Sequence, residues 1–409
     1  MSLTRDLDAD AAGLREWQTA EIFGRQSFLL EAHCVELALT VVGGHLAPVT
    51  FFPHEAHPIQ PYAIAPWWSE PLAAEIPPIL ATLRGDFFCS AFGTNQQVGA
   101  GPSLPLHGET ANGTWHPLGR GSSDAGCWIQ LGMELPLQGG RCQAITALMS
   151  DHSVIYQRHD LSGLTGPFNP GHHAILAFPA LAGAGRLSFS RLQCAFTYFE
   201  PVEGPETGGR SCLEPGVAIT DLRNAPCIDG STTDLTRFPA RHGFEDVVIL
   251  CTDPTVELAW SAVTFPAQGY LWFALRDPRR LSCTQLWFSN GGRDYSPWNG
   301  RHVNVMGVED ITGYFHAGRA TSCQSNPLTK LGVKTSLVPD GGGQISIPYI
   351  QGVARIPEGF DQLAEIELLR NESRVLLRAQ SGIEIAMPCH TEFLDTGQLP
   401  GLQGFPGPG

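Results

Sequence analysis

Val35-Glu36-Leu37-Ala38-Leu39-Thr40-Val41-Val42-Gly43-Gly44-His45-Leu46-Ala47-Pro48-Val49-Thr50-Phe51-Phe52 sets the reading of this chain. Val35, Leu37, Leu39 and Val41 alternate with Glu36, Ala38 and Thr40, the period of a strand with one apolar face. Gly43-Gly44 can reverse the chain, and His45–Phe52 then returns as the partner of a β-hairpin. Similar signals lie further along. Gly269–Leu275 carries Tyr270, Leu271, Trp272 and Phe273 in succession, as expected of a strand covered on both sides. Leu363–Leu369, Arg374–Ala379 and Ile383–Met387 are separated by Arg370-Asn371-Glu372-Ser373 and Gln380-Ser381-Gly382, which predicts a three-strand meander.

Between these runs, 46 glycines and 32 prolines keep every element short. Helical signals are few. Asp8–Phe23 reads as one helix, and Ser69-Glu70-Pro71 as the cap and first turn of another reaching about Ile76, where Pro77-Pro78 stops it. Many short strands with frequent turns indicate an all-β sandwich or barrel with a few short helices. With no internal repeat and no shift in composition, residues 1–397 are expected to form one domain, and the Gly/Pro-rich stretch 398–409 a loosely held, flexible tail.

Composition narrows the partners. Only 16% of the 409 residues are charged, against roughly 25% in an average soluble domain. The formal net charge is −15, and lysine occurs only at Lys330 and Lys334. Without a basic run, nucleic acid and anionic membrane surfaces are poor partners, whereas a neutral polyhydroxylated molecule is not repelled. Eleven cysteines run from Cys34 to Cys389 without a Cys-x-x-Cys pair. Their odd number, and the absence of a basic N-terminal region followed by an apolar run, predict reduced thiols in a cytoplasmic protein. No apolar run nears the ~20 residues that span a bilayer. Monomer and homodimer are equally open.

Three segments carry chemistry. The first, Leu104-Pro105-Leu106-His107-Gly108-Glu109-Thr110-Ala111-Asn112-Gly113-Thr114-Trp115, follows Arg84 in the predicted strand Leu83–Phe88 and a glycine-rich loop from Gly93 to Gly101. It sets an imidazole, a carboxylate, an amide and an indole in a run of turn formers: polar groups for hydroxyls and an aromatic plate for the C–H face of a sugar. In the second, Asn169-Pro170-Gly171 turns into His172-His173 at the head of a strand, Ala174–Phe178. Adjacent strand residues face opposite ways, so only one of the two rings can enter a given pocket. A neutral imidazole is the best single acid or base near neutrality. In the third, the polar aromatic loop Ser289-Asn290-Gly291-Gly292-Arg293-Asp294-Tyr295-Ser296-Pro297-Trp298 precedes a strand, His302–Val308, that delivers Glu309 and Asp310. A carboxylate there, beside Trp287 or Trp298, is expected to lose solvent and take a raised pKa. Read alone, each segment also fits ordinary loop and strand-end residues. His107, Glu109, His172 and His173 admit reading as metal ligands too, although the His-x-His or His-x₃-His spacing of a cupin-type site is missing. There is no phosphate loop and no nucleophile elbow.

The order and spacing of the three segments resemble the aldose 1-epimerase (galactose mutarotase-like) family over roughly Val35 to Met387. The resemblance implies a large antiparallel β-sandwich (a supersandwich of the galactose mutarotase-like type). It also implies general acid–base opening of a sugar ring, interconverting α and β anomers, with no metal or organic cofactor and a small-molecule sugar as partner. His173, followed by Ala174-Ile175-Leu176, takes the place of the His that protonates the ring oxygen; Glu309 takes that of the base on the anomeric hydroxyl. His107 is similar to the family's second His, and Arg84 to an early hydroxyl-binding Arg. Glu109, His172, Asn290, Arg293 and Trp298 complete the expected substrate-binding set. His173 and Glu309 are expected to face each other at about a monosaccharide's width (~5–8 Å). The chain departs from the family at His107-Gly108-Glu109, where His-Gly-Gly is common, at Ile175-Leu176 in place of Tyr-Phe, and at Asp310-Ile311 in place of Pro-Gln. Asp246 and Asp253 are candidates for its substrate-binding Asp. A sugar-binding protein without turnover, or a lyase or hydrolase on a related sandwich, is the alternative.

Overall fold

The structure, a computed structural model, describes residues 19–95, 103–339, 341 and 343–408. Its pairings between named strands are all antiparallel. A six-stranded sheet runs Leu192–Thr197, Phe244–Thr252, Cys283–Asn290, Val305–Ile311, Gly171–Ala177 and Phe88–Cys89. A nine-stranded sheet holds Arg237–Phe238, Gly185–Phe189, Ala259–Phe265, Tyr270–Arg276, Ile345–Arg355, Val154–Ser162, Arg141–Met149, Gly126–Glu134 and His116–Ser123, in that order. A four-stranded sheet at the N-terminal end contains the predicted hairpin as Val35–Thr40 and Leu46–Phe51, and the predicted meander closes the chain as Leu363–Leu369, Arg374–Ala379 and Glu384–Pro388.

Three apolar layers glue the sheets. One joins the large sheets, with Leu176, Leu286 and Met306 of the six-stranded sheet against Leu131, Ile155 and Trp272 of the nine-stranded one. A second seats the meander on the far face of the nine-stranded sheet, with Leu271 and Ile350 against Ile366 and Leu377. This explains why Tyr270–Arg276 is buried at every position: an antiparallel sheet reads apolar on both faces once a third layer covers it. Each fully buried Leu or Ile there is worth about 1.5–3 kcal/mol. The third layer, with Ile79, Phe87, Phe92, Ile175, Val247 and Trp287, covers the outer face of the six-stranded sheet.

Several local expectations need correction. Of the predicted helix Asp8–Phe23, residues 8–18 lie outside those described, and Thr19–Ile22 is a strand. Ser69 to Ile76 forms turns, and a short helix, Ile79–Thr82, starts after Pro77-Pro78 with Pro78 as its N-cap. Proline's fixed φ suits a helix start, so this pair opens a helix instead of ending one. Leu83–Phe88 has isolated bridges at Arg84 and Asp86, and regular pairing begins only at Phe88. Of the glycine-rich loop, residues 96–101 lie outside those described. The Gly/Pro-rich end is anchored, not loose. Buried Arg158 donates to the carbonyls of Gly397, Pro406 and Gly407, and Leu399 and Leu402 join the second apolar layer.

No helix among the described residues is long and apolar enough to cross a membrane.

Candidate active site

The site is built on one row of the six-stranded sheet. His173, Glu309 and Gln285 are direct cross-strand neighbours on Gly171–Ala177, Val305–Ile311 and Cys283–Asn290. Because a strand turns alternate side chains to one face, the neighbouring rows place Ile175, Gly307, Trp287 and Val247 beside them. Both His173 and Glu309 therefore sit inside strands and not at strand ends, since the ladder starts at Gly171 and runs to Ile311. Their separation is also shorter than expected: His173 Nε2 lies 3.3 Å from Glu309 Oε1.

Gly307 makes this approach possible. A Cβ there would lie 2.3 Å from Glu309 Oε1 and 3.2 Å from Trp287 Cβ. The carboxylate folds over the bare backbone, and its Oε2 accepts a hydrogen bond of 2.5 Å from Gln285 Nε2. Above the row, His107 meets His173 edge-on, with ring centres 4.8 Å apart. His107 has φ +62° and Gly108 φ +81°. At Gly108 any Cβ would come within 2.0 Å of the Ser90 carbonyl oxygen, so the His-Gly pair is the turn that aims this imidazole inward. Phe87 stacks on His173 at 4.6 Å and fixes its plane.

These groups open on a cavity of about 290 Å³, lined also by Leu80, Leu106, Val202, Glu203, Arg293, Trp298 and His316. That volume lies at the small end of ligand sites. Arg293 donates to Glu203 at 2.6 Å and lies over the Trp298 ring, 4.4 Å from its centre. Behind them Glu245 accepts from Trp287 Nε1 and Ser289 Oγ, both at 2.9 Å, which holds the indole upright. A larger cleft of about 690 Å³ between Asp277, Lys334 and Thr396 contains none of the nine candidate site residues.

Burial controls the electrostatics. It pushes Glu309 up to about 8, opposed by the Gln285 hydrogen bond, and Glu245 up to about 7. It pushes His173 down to about 3 and His316 down to about 4, and holds His107 well below the usual imidazole range. At neutral pH the pair His173–Glu309 therefore holds a single proton, on the carboxyl. The raised Glu309 is what a carboxylate beside Trp287 was expected to show.

Of the nine residues read from the sequence, five converge here: His107, His173, Glu309, Arg293 and Trp298. Four do not. His172, on the opposite face by strand alternation, is fully buried between the sheets, with Nδ1 2.8 Å from Asp86 Oδ2 and its ring stacked on Tyr349. Arg84 spends its guanidinium on the carbonyls of Ile22, Phe23 and Thr82. Glu109 accepts from the backbone amides of Leu137 and Gln138. Asn290 bridges the Ala240 carbonyl and the Asn304 amide. Of the four residues weighed as metal ligands, His107 and His173 meet in the pocket while Glu109 and His172 lie elsewhere, and among the described residues no cluster of three His, Cys, Asp or Glu is placed to hold an ion. Asp246 accepts from the amides of Cys212 and Leu213, and Asp253 pairs with Arg191 at the surface, so neither enters the cavity. Gln285, Glu203 and His316 were not read from the sequence. Gln285 had a signal, an amide alternating with Trp287 and Ser289 in an apolar strand. Glu203 and His316 sit in irregular loops with none.

Comparison with known proteins places this fold. No family model matches the chain, and no curated protein does. Solved structures do. A candidate aldose 1-epimerase of Klebsiella pneumoniae superposes with a TM-score of 0.54 at 14% identity, covering 81% of this chain and 80% of that one. A candidate aldose 1-epimerase of Escherichia coli K12 gives 0.53 at 12%, covering 81% and 99%. A galactose mutarotase-like protein of Clostridium acetobutylicum gives 0.51 at 11%, covering 83% and 98%. The chain has the galactose mutarotase-like fold. At such identities the likeness speaks for architecture, and the sandwich expected from the sequence is the one observed.

Proposed function

We propose that this protein is an aldose 1-epimerase-like isomerase that interconverts the anomers of a sugar. The observation that carries the reading is the His173–Glu309 pair, 3.3 Å apart in the lining of a small pocket. Ring opening removes a proton from the anomeric hydroxyl and delivers one to the ring oxygen. Both oxygens are bonded to the same carbon, so the donor and acceptor that serve them belong side by side.

A pair that shares one proton suits this reaction in either sense. With the proton on Glu309, the carboxyl protonates the ring oxygen while the His173 imidazole accepts from the hydroxyl; with the proton on His173, the roles exchange. After rotation about the C1–C2 bond the ring closes on the other face and the pair returns to its starting charge. Such acid–base assistance contributes about 10²–10⁴ in rate per group. His107 lines the same pocket against His173, and Trp298 with Trp287 offers apolar faces to the sugar's C–H bonds. Among the described residues lining the cavity, Arg293 is the one Arg or Lys and is paired with Glu203, while Arg301 is held by Glu70 outside it. The Arg and Lys cluster that a uronate lyase needs is therefore not assembled.

Polarimetry of freshly dissolved α-aldoses, in a panel that varies each hydroxyl, tests the proposal. Accelerated approach to the anomeric equilibrium for at least one sugar is expected. Saturable binding of a sugar with no acceleration identifies a binding protein instead, and neither binding nor acceleration across the panel overturns the reading.

A further inference from the structure

Beside the pocket, the segment that carries Glu203 ends at an unassigned thiol pair. Cys212 and Cys227 are both free, yet Cys212 Sγ lies 3.4 Å from Cys227 Sγ and donates to it. Two backbone hydrogen bonds hold the segments together around them, from the Ile228 amide to the Cys212 carbonyl at 2.9 Å and from the Glu214 amide to the Pro226 carbonyl at 2.9 Å. Asp246 fixes the Cys212 amide from below. Cys212 is half-buried and Cys227 is buried.

We propose that Cys212 and Cys227 are a redox-active dithiol that closes to a disulfide. Closure shortens the sulfur separation from 3.4 Å to about 2.0 Å. Two S–H bonds break and one S–S bond forms. The two electrons pass to the S–S bond of a low-molecular-weight disulfide, which leaves as two thiols carrying the two protons. Burial and the neighbouring sulfur raise the Cys212 thiol to about 12, so closure speeds up as pH rises, because the thiolate is the attacking species. The cross-link joins the start of the hairpin around Ala225 and Thr233 to the segment running back to Glu203, whose backbone amide is held by Ser211 beside Cys212.

The experiment equilibrates the full chain in buffers of increasing ratio of oxidised to reduced glutathione, followed by acid quench, unfolding, alkylation and peptide mapping. The expected result is a cross-linked peptide containing Cys212 and Cys227, formed reversibly and faster at pH 8.5 than at pH 7, with the other nine cysteines alkylated. Cys212→Ser and Cys227→Ser each abolish that peptide while keeping the wild-type circular dichroism spectrum. The proposal is overturned if the pair stays fully alkylated at the most oxidising ratio. It is equally overturned if the cross-link forms elsewhere, for instance among Cys194, Cys251 and Cys283, which are neighbours in strand register.

Discussion

The two faces of the six-stranded sheet carry nearly the same residue types and do opposite things with them. On the outer face His173 meets Glu309, and on the inner face, one residue away on each strand, His172 and Asp310 lie between the sheets. Asp310 is saturated there: Arg276 Nη1 sits at 2.8 Å and Tyr349, Thr284 and Ser261 all donate to it. His172 is held through Nδ1 by Asp86 and wedged against Tyr349. Glu309 has an amide and an imidazole and no cation, and its face opens on a cavity. A carboxylate fully paired between two sheets fixes structure; a carboxyl with no cation, facing a pocket, is available for proton transfer.

The contrast breaks most sharply at the carboxylates. Glu309→Gln keeps the shape of the row and is expected to lower anomer exchange by about 10²–10⁴-fold. Because Glu309 already carries its proton at neutral pH, the substitution removes no charge pair, and the urea midpoint should move little. Polarimetry and urea titration of the same sample read both quantities; a mutant that exchanges anomers at the wild-type rate refutes the role. Asp310→Asn should do the reverse. It leaves the buried Arg276 guanidinium without a counter-charge, a loss of about 3–5 kcal/mol, while any protein that stays folded should retain a wild-type pocket. An unchanged urea midpoint would show that the inner network does not depend on its charge.

How far this contrast could be read without coordinates depended on periodicity. The hairpin at Val35–Phe51 and the meander at Leu363–Pro388 were legible because alternation and turn residues are local. The same period of two required His172 and His173 to part, without saying which faces the pocket. Where strands begin was less legible: Gly171 and Ile311 belong to the ladder because distant strands complete it, and no local pattern near Glu309 tells a strand interior from a strand end. Arg84, Glu109 and Asn290 look like hydroxyl binders on paper because their donors and acceptors are real. They are consumed by backbone groups of Ile22, Leu137 and Ala240, far away in the chain. Residue type showed the capacity to bind, and only tertiary placement showed whether that capacity was already spent.

Dependence on pH sharpens the comparison further. The active pair needs one proton, no more and no fewer. Below about 3 His173 is also protonated and the pair lacks an acceptor; above about 8 Glu309 loses its proton beside a neutral imidazole and the pair lacks a donor. A plateau in kcat/KM between those limits is expected, with the alkaline limb falling tenfold per pH unit, and the two limits belong to the pair jointly. Should the alkaline limb be absent up to pH 10, the shared-proton description is wrong.

The smallest effect should come from Gly307, whose inner-face neighbours Met306 and Val308 are ordinary core residues. A methyl group at this position meets the tip of the Glu309 side chain at 2.3 Å, and the Trp287 Cβ at 3.2 Å must yield by a few tenths of an ångström. The carboxylate can swing aside, so Gly307→Ala costs little stability, but it displaces the group from His173. Misplacement on the order of 1 Å costs up to about 10²-fold in well-oriented catalysis, and a loss of roughly tenfold in kcat with the urea midpoint unchanged is the expected outcome. The variant isolates position from chemistry, since both the acid and the base survive in it. If kcat stays at the wild-type value, close contact between His173 and Glu309 is not what the reaction uses, and the outer face differs from the inner one only in being open.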